Sequence, residues 1–319
     1  MMLLMEKVPK INCANDAGHS PPGLLIEYLF SKITIMKNIL VLTDFSENAS
    51  AAAEAGLLLA GKMHADILLY NTYINYQTIT SYGGGGWSPG EYSKRKSQSR
   101  KGLNALTEGL ESLSALLAPE DRVPAIYIQS DDEDLGMDVA EIIHRKNVEM
   151  VVMGARSDTK DDIMYGADTN AAIEYSTCPI LITPAGTNLR KLHKIVFATD
   201  FGKSDMKAIH YLARLGKLLQ YKIEVVHVSN QTRNTPYVKE EAFQWQLDDL
   251  NYPGLQYHQI NGKNVIHRLN MLVTETPGTL LAMVHAQNSF LVRLFEHSMV
   301  KAALVNQKTP LLIFPSKMQ

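Results

Sequence analysis

Ile39-Leu-Val-Leu-Thr-Asp-Phe45 reappears later in the same chain as Ile195-Val-Phe-Ala-Thr-Asp-Phe201. The same offset carries Ala52, Leu59 and Ile67 onto Ala208, Leu215 and Ile223 without a gap. A second block also recurs: Cys178-Pro-Ile-Leu-Ile-Thr-Pro184 matches Thr309-Pro-Leu-Leu-Ile-Phe-Pro315. Its shorter offset pairs Ala155 with Ala286 and Ala171-Ala172 with Ala302-Ala303, so the first copy holds the longer middle. An internal repeat of this length means two structural units of one kind. The copies meet at Ala185–Leu192, a polar stretch after Pro184 that reads as a short linker.

Within each copy, apolar runs of strand length alternate with helical patterns. The first copy predicts strands near 38–43, 66–71, 123–129, 148–153 and 179–183, with helices near 47–62, 93–117, 135–146 and 167–176. The second predicts strands near 194–199, 222–228, 255–260, 279–284 and 310–314. Ile39–Leu42, Met150–Met153 and Ile180–Ile182 are continuously apolar, as strands covered on both faces must be. Strands separated by helices imply right-handed βαβ units and a parallel sheet. Ala49, Ala52, Ala53, Gly56, Leu57 and Ala60 give helix 47–62 one face of mostly small residues, suited to close packing on that sheet. The expected architecture is α/β, two tandem doubly wound domains over 36–184 and 193–319.

Composition narrows the function. With 31 basic against 33 acidic residues the net charge is −2, which offers no electrostatic attraction to nucleic acid or a membrane surface. Cys13 and Cys178 stand far apart without a CxxC, which argues against a disulfide framework or structural zinc and suits a reducing cytoplasm. Cys178, before Pro179, reads as a buried, inert thiol. Residues 1–35 read as a dispensable leader ahead of Met36, the alternative being an arm that packs on a partner. Gly83-Gly-Gly-Gly86, Trp87 and the basic run to Lys101 read as a surface loop entering a solvated helix, the sharper alternative being a mobile lid or an anion-contacting arm. The glycines lack the phosphate-loop pattern. No Ser-His-Asp or Cys-His arrangement is recognisable. His285 and His297 are read as ordinary loop and helix-start histidines, with a metal or acid/base pair as the sharper reading.

The quoted blocks resemble the universal stress protein family in tandem form. The matches are Thr43-Asp-Phe-Ser46 closing a first strand, Met153-Gly154 closing a fourth, and Cys178–Pro184, with Thr199–Gly202 and Thr309–Pro315 repeating the frame. The resemblance implies a five-stranded parallel sheet of order 3-2-1-4-5 in each domain, with last strands pairing between domains, here within one chain. It also implies an ATP site: an aspartate after strand 1 for the adenosine end, and glycines after strand 4 in the pattern G-x2-G-x9-G-[ST]. Carried onto this chain, the nucleotide-binding candidates are Thr43, Asp44, Met153, Gly154, Arg156, Gly166 and Thr169. The pattern is damaged: Ser157 replaces the second glycine, Gly166 comes one residue early, and Ala167 follows it. Asp158, Asp161 and Asp162 would repel phosphates unless Mg²⁺ intervened, with Arg156 and Lys160 offsetting them in part. In the second copy His285 and His297 stand where glycines remain in the first, and Phe290, Leu294 and Phe295 read as a face packed on the other copy.

The expectation is therefore a cytoplasmic stress-response protein, regulatory or scaffolding and not an enzyme, sensing an adenine nucleotide such as ATP through its first copy. Its expected partners are its own second copy, a second chain in a homodimer, and a regulatory protein, with no nucleic acid and no membrane. A weak nucleotide hydrolase and a ligand-free scaffold stay open as alternatives.

Overall fold

A computed structural model describes residues 36–73, 89–132, 135–155, 166–229, 237–262, 264–285 and 309–318. The leader, the tetraglycine with Trp87, Arg156 through Asp162, and Phe290 through His297 lie outside the described residues. Every described element lies within the compact unit Met36–Gln319.

In the first half, strands β1 (Asn38–Leu42), β2 (Asp66–Thr72), β3 (Ile126–Asp131), β4 (Val148–Gly154) and β5 (Ile180–Thr183) alternate with helices α1 (Glu47–Met63), α2 (Pro89–Ser114), α3 (Leu135–Arg145) and α4 (Gly166–Tyr175). The second half runs β6 (Lys194–Ala198), α5 (Asp205–Leu219), β7 (Lys222–Ser229), α6 (Tyr237–Asp249), β8 (Leu255–Asn261), α7 (Val265–Thr274), β9 (Thr279–His285) and β10 (Leu311–Pro315). The ten described strands form one sheet, in the order β3-β2-β1-β4-β5-β10-β9-β6-β7-β8. Each half is thus the doubly wound 3-2-1-4-5 sheet expected of it. Every neighbouring pair is parallel except β5 and β10, where Leu311, Leu312 and Ile313 face Ile182, Leu181 and Ile180 in antiparallel register.

Two apolar layers flank the sheet. One joins side chains of α1, α2, α5 and α6 to alternate residues such as Ile39, Val41, Ile195 and Phe197, and runs across both halves. The other packs α3, α4 and α7 against Leu40, Leu42, Val151 and Val196. Successive strand residues point to opposite faces, so a strand covered twice must be apolar throughout. Small residues let α1 sit close: a Cβ on Gly56 would lie 2.8 Å from Val41 Cγ2. Ser46 Oγ caps α1 by accepting from Ala49 N at 3.2 Å, and His64 ends it in the left-handed region.

Three strand starts differ from the periodicity, and the helix expected over 93–117 spans Pro89–Ser114. β3 begins at Ile126, past the expected 123, because Pro124 has no N–H for the ladder and Asp66 Oδ1 holds the preceding loop through Arg122 and Ala125 N. β5 and β10 each start one residue after a proline for the same lack of a donor. Ala185–Leu192 does more than connect: Leu189–Lys191 form a 3-10 turn capped by Asn188, and Leu189 and Leu192 are buried in the shared layer. Among the described residues no helix is long and apolar enough to cross a membrane.

Candidate functional site

Parallel register sets the geometry. Leu42 of β1 lies beside Met153 of β4, so Thr43-Asp44 and Gly154 emerge together at the carboxyl edge. Strand order reverses between these two strands, which is where open α/β sheets place ligands.

The loop after β1 is knit by its own side chains. Thr43 Oγ1 accepts from Phe45 N at 3.0 Å, and Asp44 Oδ1 accepts from Ser46 N at 2.9 Å. Phe45 sits at φ 66°, strained for a bulky residue. A Cβ on Gly102 of α2 would meet the Phe45 ring at 2.6 Å, so the two pack directly. The buried Thr43 carbonyl accepts from Asn71 Nδ2 at 2.7 Å, and Ser99 Oγ donates to Asn71 Oδ1 at 2.6 Å. This polar chain ties β1, β2 and α2 beneath an exposed Asp44 carboxylate.

Gly154 has a packing reason of its own. A Cβ there would come within 2.6 Å of Ala49 N and the Asn48 carbonyl carbon, so the first turn of α1 rests on bare backbone. Asn48 stitches that turn to the sheet: its Nδ2 donates to Ala155 O at 2.7 Å and its Oδ1 accepts from Ala185 N at 2.6 Å.

Thr43, Asp44, Met153 and Gly154 are therefore gathered at one edge. Met153 is buried in the second apolar layer, so only its backbone faces the crevice. Gly166 heads α4, and Thr169 lies buried in that helix's first turn, on the side of Ala172 and Ile173. Arg156 lies outside the described residues. Asn48, Asn71 and Ser99 escaped the sequence reading. The repeat held one signal for them, because Asn71 aligns with His227, and both bond the carbonyl that closes the first strand of their half.

The second half builds the same corner from other chemistry. His227 Nδ1 lies 3.0 Å from Thr199 O, and Phe201 packs against the His227 ring at 4.4 Å and Phe243 at 5.3 Å. Asp205 Oδ2 accepts from Thr199 Oγ1 at 2.6 Å and from Gly202 N at 3.0 Å. Burial pushes this carboxyl up to about 6, against those two hydrogen bonds. β9 closes on His285 where β4 closes on Gly154, and burial holds that imidazole below its ordinary value while Glu174 raises it. Its helix begins at Asp205 rather than at Lys203, the counterpart of Glu47. Cys178 is buried and its thiol is pushed up to about 12, consistent with an inert side chain. Among the described residues no cluster of His, Cys, Asp and Glu could hold a metal.

Residues 36–184 match the model of the universal stress protein family. No curated protein matches the chain. A universal stress protein from Archaeoglobus fulgidus DSM 4304 has a TM-score of 0.65 and 14% identity, over 87% of this chain and 96% of that one. A protein of unknown function from Pseudomonas aeruginosa PAO1 gives 0.55 and 13%, over 88% and 93%. A protein described as a universal stress protein from Pseudomonas aeruginosa UCBPP-PA14 gives 0.54 and 12%, over 88% and 93%. At such identities the likeness is one of fold, and two of the three span both halves under the family's description. The match makes residues 36–184 a domain of the universal stress protein family, and the second half repeats its fold in tandem.

Proposed function

We propose that the chain is a non-catalytic, cytoplasmic stress-response protein whose first half holds an adenine nucleotide, and whose second half serves as its packing partner. The contrast between the two corners carries this reading. In the first half an exposed carboxylate stands above a polar Asn71–Ser99 pair, beside a β4 terminus without a side chain. In the second half, aromatic rings pack on the equivalent corner and His285 occupies the equivalent of Gly154. Asp44 would accept from the adenosine end, and the backbone after Gly154 would approach the phosphates. Gly154 is not by itself evidence for that approach, since α1 already requires it. A regulatory or scaffolding role through protein partners, a homodimer among them, belongs to the same proposal.

The test is the nucleotide content of the purified full-length protein, read by absorbance and mass spectrometry of the denatured supernatant, with calorimetric titration of ATP. ATP or AMP retained by the parent and lost in Asp44→Ala supports the reading. No binding at millimolar ATP overturns it, and steady turnover abolished by Asp44→Ala would make the protein a hydrolase.

A further inference from the structure

The antiparallel β5–β10 seam carries a groove on each side, and the internal repeat relates the two. Asn147, Val148, Cys178 and Pro179 of one match Gly278, Thr279, Thr309 and Pro310 of the other. The second groove, about 380 Å³, is lined by the connecting segment Ala185–Leu192. Leu189 and Leu192 of that segment bury themselves in the same layer as Ala55 and Leu58 of α1. The first groove is larger, about 630 Å³, and a different helix face borders it. Where α1 has Ala51, Glu54, Ala55 and Leu58, α5 has Lys207, His210, Tyr211 and Arg214, one stripe at helical spacing.

That stripe faces the turn from His144 to Val148. Glu149 is the one acidic residue in the lining, and it sits between Lys37 at 3.0 Å and Arg214 at 3.4 Å, so its charge is already balanced. The Arg214 guanidinium stacks 5.3 Å above the Tyr211 ring, and Lys207 Nζ donates to Met318 O at 3.3 Å. Ile143, Pro179 and Met318 add apolar wall. A cavity of this size, apolar on one side and bordered by positioned cations, has the character of a small-molecule site.

We propose that the first seam groove binds a small organic anion, an apolar body carrying a phosphate, sulfonate or carboxylate, with Lys207 and Arg214 as the anion's partners. Such a ligand touches both halves at once, from α5 on one side and the α3–β4 turn on the other. This site is separate from the β1/β4 edge.

The probe is anilinonaphthalene sulfonate, an aromatic anion whose fluorescence rises in apolar surroundings, titrated into the full chain at low and high salt. The expected result is saturable binding at one site per chain, weakened by salt. Lys207→Gln is expected to weaken binding about tenfold, which is about 1.4 kcal/mol, and Lys207→Gln/Arg214→Gln further. Because Arg214 also packs on Tyr211, His210→Glu supplies a second variant at an exposed position, expected to weaken binding through like-charge repulsion. Thermal unfolding checks that each variant is folded. Undiminished binding by folded variants, an unsaturable signal, or loss of binding in Asp44→Ala would each overturn the proposal. Failure of ATP to bind at Asp44 leaves these outcomes unaltered.

Discussion

Replacing Gly154 by alanine adds one methyl group where α1 meets the end of β4, and the consequence can be worked from the geometry. The new carbon would lie 2.6 Å from two backbone atoms, Ala49 N and the Asn48 carbonyl carbon. Neither can rotate away, so the first turn of α1 must lift by roughly 1 Å to restore ordinary contact. Lifting it strains both Asn48 hydrogen bonds, at 2.7 Å and 2.6 Å, each contributing about 1 kcal/mol. Overpacking of this kind costs about 1–3 kcal/mol. Against it stands the lower entropy of the unfolded alanine chain, which stabilises by about 0.4–1 kcal/mol because Gly154 is not at a positive φ. Steric cost wins, and the expected net loss is about 0.5–2 kcal/mol. Denaturant unfolding of the ligand-free protein measures it as a lower midpoint at unchanged slope. Asn48→Ala combined with Gly154→Ala should cost less than the sum of the two, since both disturb one contact. A Gly154→Ala protein as stable as its parent would refute the argument and return that glycine to a purely ligand-directed role.

Asn71→Ala removes the link between the Thr43 carbonyl and the Ser99 hydroxyl, both buried. The expected loss is about 1–3 kcal/mol in denaturant unfolding, and an unchanged midpoint would show that the chain carries no weight. Asp205 has a raised folded-state pKa, about 6 against 3.8, chiefly from burial. Its contribution is thus fully present below pH 3.8 and fades as pH rises through about 6. Asp205→Asn keeps an acceptor for Thr199 and Gly202 and cannot ionise. Relative to the parent it should gain about 2–3 kcal/mol between roughly pH 4 and pH 7, and parallel stability curves for the two proteins would contradict this.

Much of the fold was legible because its signals are local. Continuous apolar runs such as Ile39–Leu42 mark strands covered on both faces, and the small residues of α1 mark a helix pressed onto them. β3 was misplaced because an edge strand leaves Tyr127 and Ile128 exposed and so lacks a clear apolar pattern. The candidate site was legible only in outline. Thr43, Asp44 and Gly154 could be picked out by motif, but Asn71 and Ser99 are ordinary polar residues until β2 and α2 bring them together. The motif also gave Gly154 to a ligand, whereas α1 accounts for its missing side chain.

By itself the sequence determined that there are two copies, that each alternates strand and helix, and that the first closes β4 on glycine where the second has histidine. These are properties of residue order and of periods of two and 3.6, which need no partner to be read. Pairing of the last strands was implied by the resemblance, but only the tertiary structure decided their antiparallel register and the two seam grooves, one lined by Leu189 and Leu192 and the other by Lys207 and Arg214. It likewise decided that the second corner is closed by Phe201 stacking on His227. Such contacts join residues far apart in the chain, and their energies depend on burial and approach distances that spacing along a sequence does not contain.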